Sequence, residues 1–141
     1  MAQQVEKRLI NEWLWEKHRN DPQWKRARLG PVTDAKFARM YSVLLRWADA
    51  IVFDGTSLII VEGKIRPDPK AIGQLMYYKQ ELANTPEFTA YLKYPVKMLL
   101  LTTLTDKKVK EFGELHGVDY EVFSPPWVAE YWKERINAGK K

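Results

Sequence analysis

Residues Arg46–Tyr78 read RWADAIVFDGTSLIIVEGKIRPDPKAIGQLMYY, and the fold follows from how this stretch is punctuated. Two apolar runs, Ala48–Phe53 and Leu58–Ile65, flank Asp54-Gly55-Thr56-Ser57. That turn signal between β-branched runs predicts a hairpin. Pro67 and Pro69 end the second run. From Lys70 to about Ala83, Ile72, Leu75, Met76 and Leu82 recur at helical spacing until Asn84-Thr85-Pro86 stops the helix.

Three polar residues in this stretch are out of place. Asp49 opens an otherwise apolar strand, and Glu62 and Lys64 end another. An unpaired buried charge is strongly unfavourable, so each needs a partner. Side-chain alternation puts Glu62 and Lys64 on one face, about 6.6 Å apart along the strand. A Gly55-Thr56 loop, with Gly supplying the positive φ of a type II′ turn, pairs Phe53 with Leu58 and sets Asp49 opposite Glu62, Cβ to Cβ about 5 Å. An Asp54-Gly55 loop instead sets Asp49 opposite Ile60, with Glu62 as its diagonal neighbour on the same face. Only an odd-length loop or a bulge separates the two carboxylates. Two carboxylates this close repel unless a positive charge lies between them. Lys64 offsets one charge, and a hard cation with oxygen ligands is the natural solution. Mg²⁺ takes one or two carboxylates, keeps several waters and binds phosphate. It lowers the pKa of a bound water and stabilises charge on a phosphoryl group, which Lys64 can assist. Asp54 falls on the other face and reads as a turn residue, and Asp68 reads as a helix cap.

Upstream, Gln3 to Arg19 repeats Val5, Leu9, Trp13 and Ile10, Leu14 at i, i+4, which predicts a helix ended by Asn20-Asp21-Pro22. Residues 22–38 are polar, basic and broken by Gly30-Pro31, which predicts mostly loop with room for a short helical piece. A first strand is expected at Tyr41–Leu45. Downstream, a helical turn is expected before Tyr94-Pro95, then a strand covered on both faces at Val96–Thr103. A helix starts at Thr105-Asp106 and closes at Gly117, Val118–Phe123 is a short strand, and Ser124-Pro125 opens a last helix through Ile136. The fold class is α/β, a mixed central sheet with helices on both faces.

The matching residues resemble the PD-(D/E)XK nuclease superfamily: Asp49, then Glu62-Gly63-Lys64 after twelve intervening residues, then Gln74 and Tyr78, similar to the Q-x-x-x-Y element of the RecB-type branch. Ala48 stands where the family name places Pro. The resemblance covers about residues 3–103 and implies a restriction-endonuclease-like αβββαβ core, with about 104–141 as C-terminal decoration of a single nuclease domain, 1–141. It implies that Asp49, Glu62 and the Gly63 carbonyl bind metal and that Lys64 assists the nucleophilic water. Gln74 and Tyr78, on one helix face, would line the site or contact DNA. Some members use a glutamate on the first helix, for which Glu12 and Glu16 are the candidates.

The composition agrees with a compact chain. Of 141 residues, 45% are hydrophobic, with six Trp, seven Tyr and five Phe, enough large apolar surface for a core and unlike a disordered chain. With no cysteine, disulfides, thiolate metal sites and a Cys nucleophile are excluded. The N-terminus lacks an apolar signal region and no run is long enough to cross a membrane, so the expected location is cytoplasmic, not secreted and not membrane-bound. The net charge of +5 favours a polyanionic partner. Lys17, Arg19, Lys25, Arg26 and Arg28, with Trp24 among them, are candidate DNA contacts, as is Trp15. The tryptophans at 13, 47, 127 and 132 are expected in the core.

The expected activity is that of a metal-dependent deoxyribonuclease, Mg²⁺ or Mn²⁺, cutting DNA by a metal-activated water and leaving a 5′-phosphate, as the family usually does. So small a chain points to recognition of DNA structure, or to a homodimer cutting two strands. The rivals are an RNA-directed nuclease and a noncatalytic nucleic-acid-binding or assembly protein of the same fold.

Overall fold

The computed structural model describes residues 2–30 and 46–139. The expected strand at Tyr41–Leu45 lies outside them. Helix α1 (Ala2–His18) leads into strand β1 (Gln23–Leu29). Strands β2 (Arg46–Phe53) and β3 (Leu58–Lys64) form the hairpin, followed by helix α2 (Lys70–Leu82) and a 3-10 helix (Pro86–Tyr91). Strand β4 (Val96–Thr102), helix α3 (Lys107–Leu115), strand β5 (Val118–Val122) and helix α4 (Pro126–Gly139) complete the order.

The strand order β1-β2-β3-β4-β5 makes one mixed sheet. β1–β2 and β2–β3 are antiparallel, whereas β3–β4 and β4–β5 are parallel. This is the expected α/β architecture, with one correction. Residues 23–29, expected to be loop, form β1, the outer strand among the described residues. Its outward side chains Lys25, Arg26 and Arg28 are exposed, and only Trp24, Ala27 and Leu29 turn inward. An edge strand carrying that many cations lacks the apolar alternation by which strands are read, and the same charges protect the edge from pairing with other chains.

The hairpin has the register of the Gly55-Thr56 loop: Phe53↔Leu58, Val52↔Ile59, Ile51↔Ile60 and Ala50↔Val61. Gly55 has φ +97°, which favours glycine. The Asp54 carboxylate accepts from Thr56 N–H at 2.9 Å and Ser57 N–H at 2.7 Å, closing the turn.

Two cores lie on opposite faces. Leu58, Ile60, Ile72, Leu75, Phe88 and Leu100 fill the one beneath α2. Leu9, Ile10, Trp13, Leu14, Val61, Leu101 and Val128 fill the one beneath α1 and α4. The C-terminal segment packs on the same body: β5 extends the sheet beside β4, and α4 supplies Val128 to the second core. Among the described residues, no helix is long and apolar enough to cross a membrane.

Candidate active site

The parallel strands β3, β4 and β5 end on the same edge of the sheet at which β2 begins, so Lys64, Thr102 and Asp49 share that edge. Asp49 owes its position to a break in alternation. Ala48 and Ile51 both face the α2 core, as do Trp24 and Ala27, although residues three apart on a regular strand face opposite ways. The ladder passes from Lys25↔Ala50 to Ala27↔Ala48, so no residue is inserted, and Arg26 and Asp49 face each other at the skipped step. Arg26 has φ +53°, a left-handed conformation rare for a residue with a Cβ. Local breaks of this kind re-aim side chains at functional edges. Here the Asp49 carboxylate turns toward β3, and its Oδ2 accepts the Gly63 N–H at 2.8 Å.

Gly63 is favoured by packing. A Cβ there would lie 2.8 Å from both Cγ1 and Cδ1 of Ile10, on the helix crossing above it. The glycine between Glu62 and Lys64 lets α1 sit directly on the end of β3.

The electrostatics are those of a crowded anionic site. Glu62 is only 4% exposed. Burial, then the Asp49 charge, raises its pKa from 4.5 to about 8. Burial also raises the Asp49 carboxyl, against the opposing effects of the Gly63 N–H and Lys64. The Lys64 ammonium stands 4.0 Å from Glu62 Oε2, while Glu62 Oε1 is buried with no hydrogen-bond partner among the described residues. A buried carboxylate oxygen without a donor is unfavourable unless a cation or proton meets it. No group of three or more His, Cys, Asp or Glu among the described residues could hold a metal. Two carboxylates with water and substrate oxygens fit the habit of Mg²⁺ and are too few for a closed protein cage.

The other expected site residues separate. On the first helix, neither Glu12 nor Glu16 reaches the cluster. Glu12 accepts from Trp127 Nε1 at 2.8 Å and pairs with Arg8 at 2.9 Å. Glu16 lines a shallow groove of about 520 Å³ with Trp15, Arg19 and the Phe123–Pro126 turn. The glutamate that reaches the site is Glu6: its Oε2 accepts from Ile65 N–H at 3.3 Å, and its carboxyl, raised chiefly by burial, feels Lys64 and Asp49. Its sequence signal is its place one turn before Ile10.

Tyr78 is 3% exposed within the α2 core; Gln74, one turn nearer the start of α2, is half-buried. Trp24 packs edge-on against Phe88 and Tyr91 at 5.0 and 5.3 Å and is not a free stacking platform. Trp47, expected in the core, is 45% exposed, with Arg26 at 5.6 Å from its ring centre. Lys17, Lys25 and Arg28 are exposed, and Arg19 lies 5.6 Å from the Trp15 ring. Of the expected basic contacts, Arg26 is the one whose charge lowers the Asp49 pKa. Asp68 caps α2 as expected, its Oδ1 accepting from Lys70 N–H at 2.9 Å.

The chain is similar in fold to a repair endonuclease from Pyrococcus abyssi. The likeness has a TM-score of 0.55 at 18% sequence identity and covers 87% of this chain and 47% of that one, so the chain spans about half the length of the solved structure it matches. No protein-family model and no curated protein matches the chain.

Proposed function

We propose that the protein is a metal-dependent DNA endonuclease of the PD-(D/E)XK type. The observation that carries the reading is the buried, unpartnered Oε1 of Glu62 beside Asp49, with Lys64 at the strand end. The fold shared with a repair endonuclease supports it.

In this reading Asp49, Glu62 and the Gly63 carbonyl hold Mg²⁺, or Mn²⁺ in its place. The ion, when bound, would supply an acidified water and charge neutralisation at the phosphate. The chain's own residues do the rest. The Gly63 N–H fixes the Asp49 carboxylate toward β3. Lys64 remains partly exposed, as a cation meeting a substrate phosphate must be, and places positive charge where the phosphorane builds its negative charge. Glu6, bonded to the next peptide N–H, adds a third carboxylate on the α1 side and orients waters or takes a proton there.

The test is digestion of plasmid, single-stranded and branched DNA with Mg²⁺ or Mn²⁺, beside Lys64→Ala and Asp49→Asn. Wild type should cut, and each variant should fall by at least about a hundredfold. In a separate arm, saturating metal should raise the melting temperature of wild type and not of Asp49→Asn. DNA binding without any cleavage would leave a noncatalytic nucleic-acid-binding protein, and preferential cutting of RNA would move the substrate class.

A further inference from the structure

The two residues after Lys64 are held more firmly than a strand end requires. Ile65 donates its N–H to Glu6 on α1. Its carbonyl accepts from Thr103 Oγ1 at 2.6 Å and Thr102 Oγ1 at 3.3 Å. Trp132, on α4, donates Nε1–H to that same Thr103 Oγ1 at 3.1 Å. The guanidinium of Arg66 lies against the Trp132 indole, 5.1 Å from its centre. One chain of contacts thus runs from the end of the candidate catalytic strand through Thr103 to the C-terminal helix and back to Arg66.

Arg19 over Trp15 and Arg26 over Trp47 are likewise exposed arginines on indoles, so what sets Arg66 apart is its place two residues beyond Lys64, and Arg8 gives the contrast in charge. Arg8 also lies over an indole, 4.4 Å from the centre of Trp127, but its charge is met by Glu12 at 2.9 Å. Arg66 has no carboxylate within ion-pair distance among the described residues, and it is exposed. An indole face restrains a guanidinium without neutralising it, leaving its outward N–H fork for a second partner. The partner that fits a planar, cationic fork beside a candidate phosphodiesterase site is a phosphate.

We propose that Arg66, braced by Trp132, is a positioning residue that grips a backbone phosphate of DNA beside the one presented to Asp49, Glu62 and Lys64. The assignment rests on the nuclease reading for its neighbouring site and adds a strand-holding contact to it. The brace comes from α4, so the C-terminal helix contributes to substrate placement as well as to the core.

The experiment measures binding of a labelled DNA duplex to the full chain by fluorescence anisotropy, without divalent metal, across a salt series. Arg66→Ala should weaken binding about tenfold and lower the slope of log affinity against log salt by about one. Arg66→Lys should restore the slope but only part of the affinity, because the bidentate fork is lost. Trp132→Leu should weaken binding while keeping the slope, since the charge remains and only its brace is gone. Melting curves on all variants separate these effects from unfolding. With cleavage, Arg66→Ala should raise KM more than it lowers kcat. Wild-type affinity and slope in Arg66→Ala overturn the proposal, as does wild-type chain that does not bind DNA. A chain that binds through Arg66 but never cuts overturns the nuclease reading and leaves this contact standing.

Discussion

At the scale of single residues, the site is a set of groups more stable with a proton or a cation than bare. Burial and the Asp49 charge raise the Glu62 pKa to about 8, and burial raises that of Asp49. In the unfolded chain both return to ordinary carboxylate values. The folded state therefore binds these protons more tightly than the unfolded state. The stability they confer is complete below the unfolded pKa, near 4.5 for glutamate, and is lost as pH rises through the folded values. The melting temperature of metal-free protein should accordingly fall as pH climbs from about 5 to about 8. Saturating Mg²⁺ should flatten that fall, since the cation takes the proton's place, and Glu62→Gln should remove most of it. A metal-free melting temperature that rises steadily over this interval would count against the arrangement. Asp54 contributes oppositely, its lowered carboxyl losing stability only as the solution becomes strongly acidic. Asp49, Glu62 and Lys64 were legible in the sequence because each charge interrupts an apolar strand. Glu6 was not, because nothing in a helical repeat says how far the helix overhangs the end of a sheet it has not yet met.

At the scale of elements, the hairpin was legible and the strand beside it was not. Asp54-Gly55-Thr56-Ser57 gives the turn a residue of positive φ and a capping carboxylate, so the hairpin followed from local chemistry, and of the two registers it allowed the chain adopts that of the Gly55-Thr56 loop. The neighbouring strand β1 owes its form to hydrogen bonds with β2 across a long separation in sequence, and its exposed Lys25, Arg26 and Arg28 hide it. The same reasoning by alternation treated β2 as regular through Asp49, whereas the chain breaks step there opposite Arg26. The crossing of α1 over β3 supplies a test of how the elements fit. Gly63→Ala would thrust a methyl within 2.8 Å of two Ile10 carbons that are almost fully buried. Overpacking of this kind costs about 1–3 kcal/mol. Gly63→Ala should lose that much in chemical denaturation, and combining it with Ile10→Val should recover part of the loss, a non-additivity that marks direct contact. Equal and additive losses would mean that α1 does not rest on Gly63.

At the scale of the whole molecule, the two parallel strands β4 and β5 and the last helix decide whether the candidate site has a frame at all. The resemblance in sequence covers about residues 3–103, and the segment beyond it reads as C-terminal decoration of the same domain. The contacts indicate dependence instead. Val118–Val122 covers the hydrogen-bonding edge of β4 from Met98 to Thr102. The helices α1 and α4 are tied by Trp127 Nε1 to Glu12 at 2.8 Å, and α1 is tied to β5 by Trp13 Nε1 to Glu121 at 2.8 Å. Removing residues 104–141 would take Glu121 from Trp13 and Trp127 from Glu12, open the second core at Val128 and leave VKMLLLT as an apolar sheet edge. Long, apolar, unpaired edges recruit other chains. The truncated chain should therefore aggregate or lack a cooperative melting transition, and it should lose metal-induced stabilisation even though Asp49, Glu62 and Lys64 are all retained. The measurement is thermal unfolding followed by circular dichroism, with and without Mn²⁺. A soluble fragment of residues 1–103 that melts cooperatively and gains stability from Mn²⁺ would show the opposite, that the candidate site stands on the αβββαβ core alone.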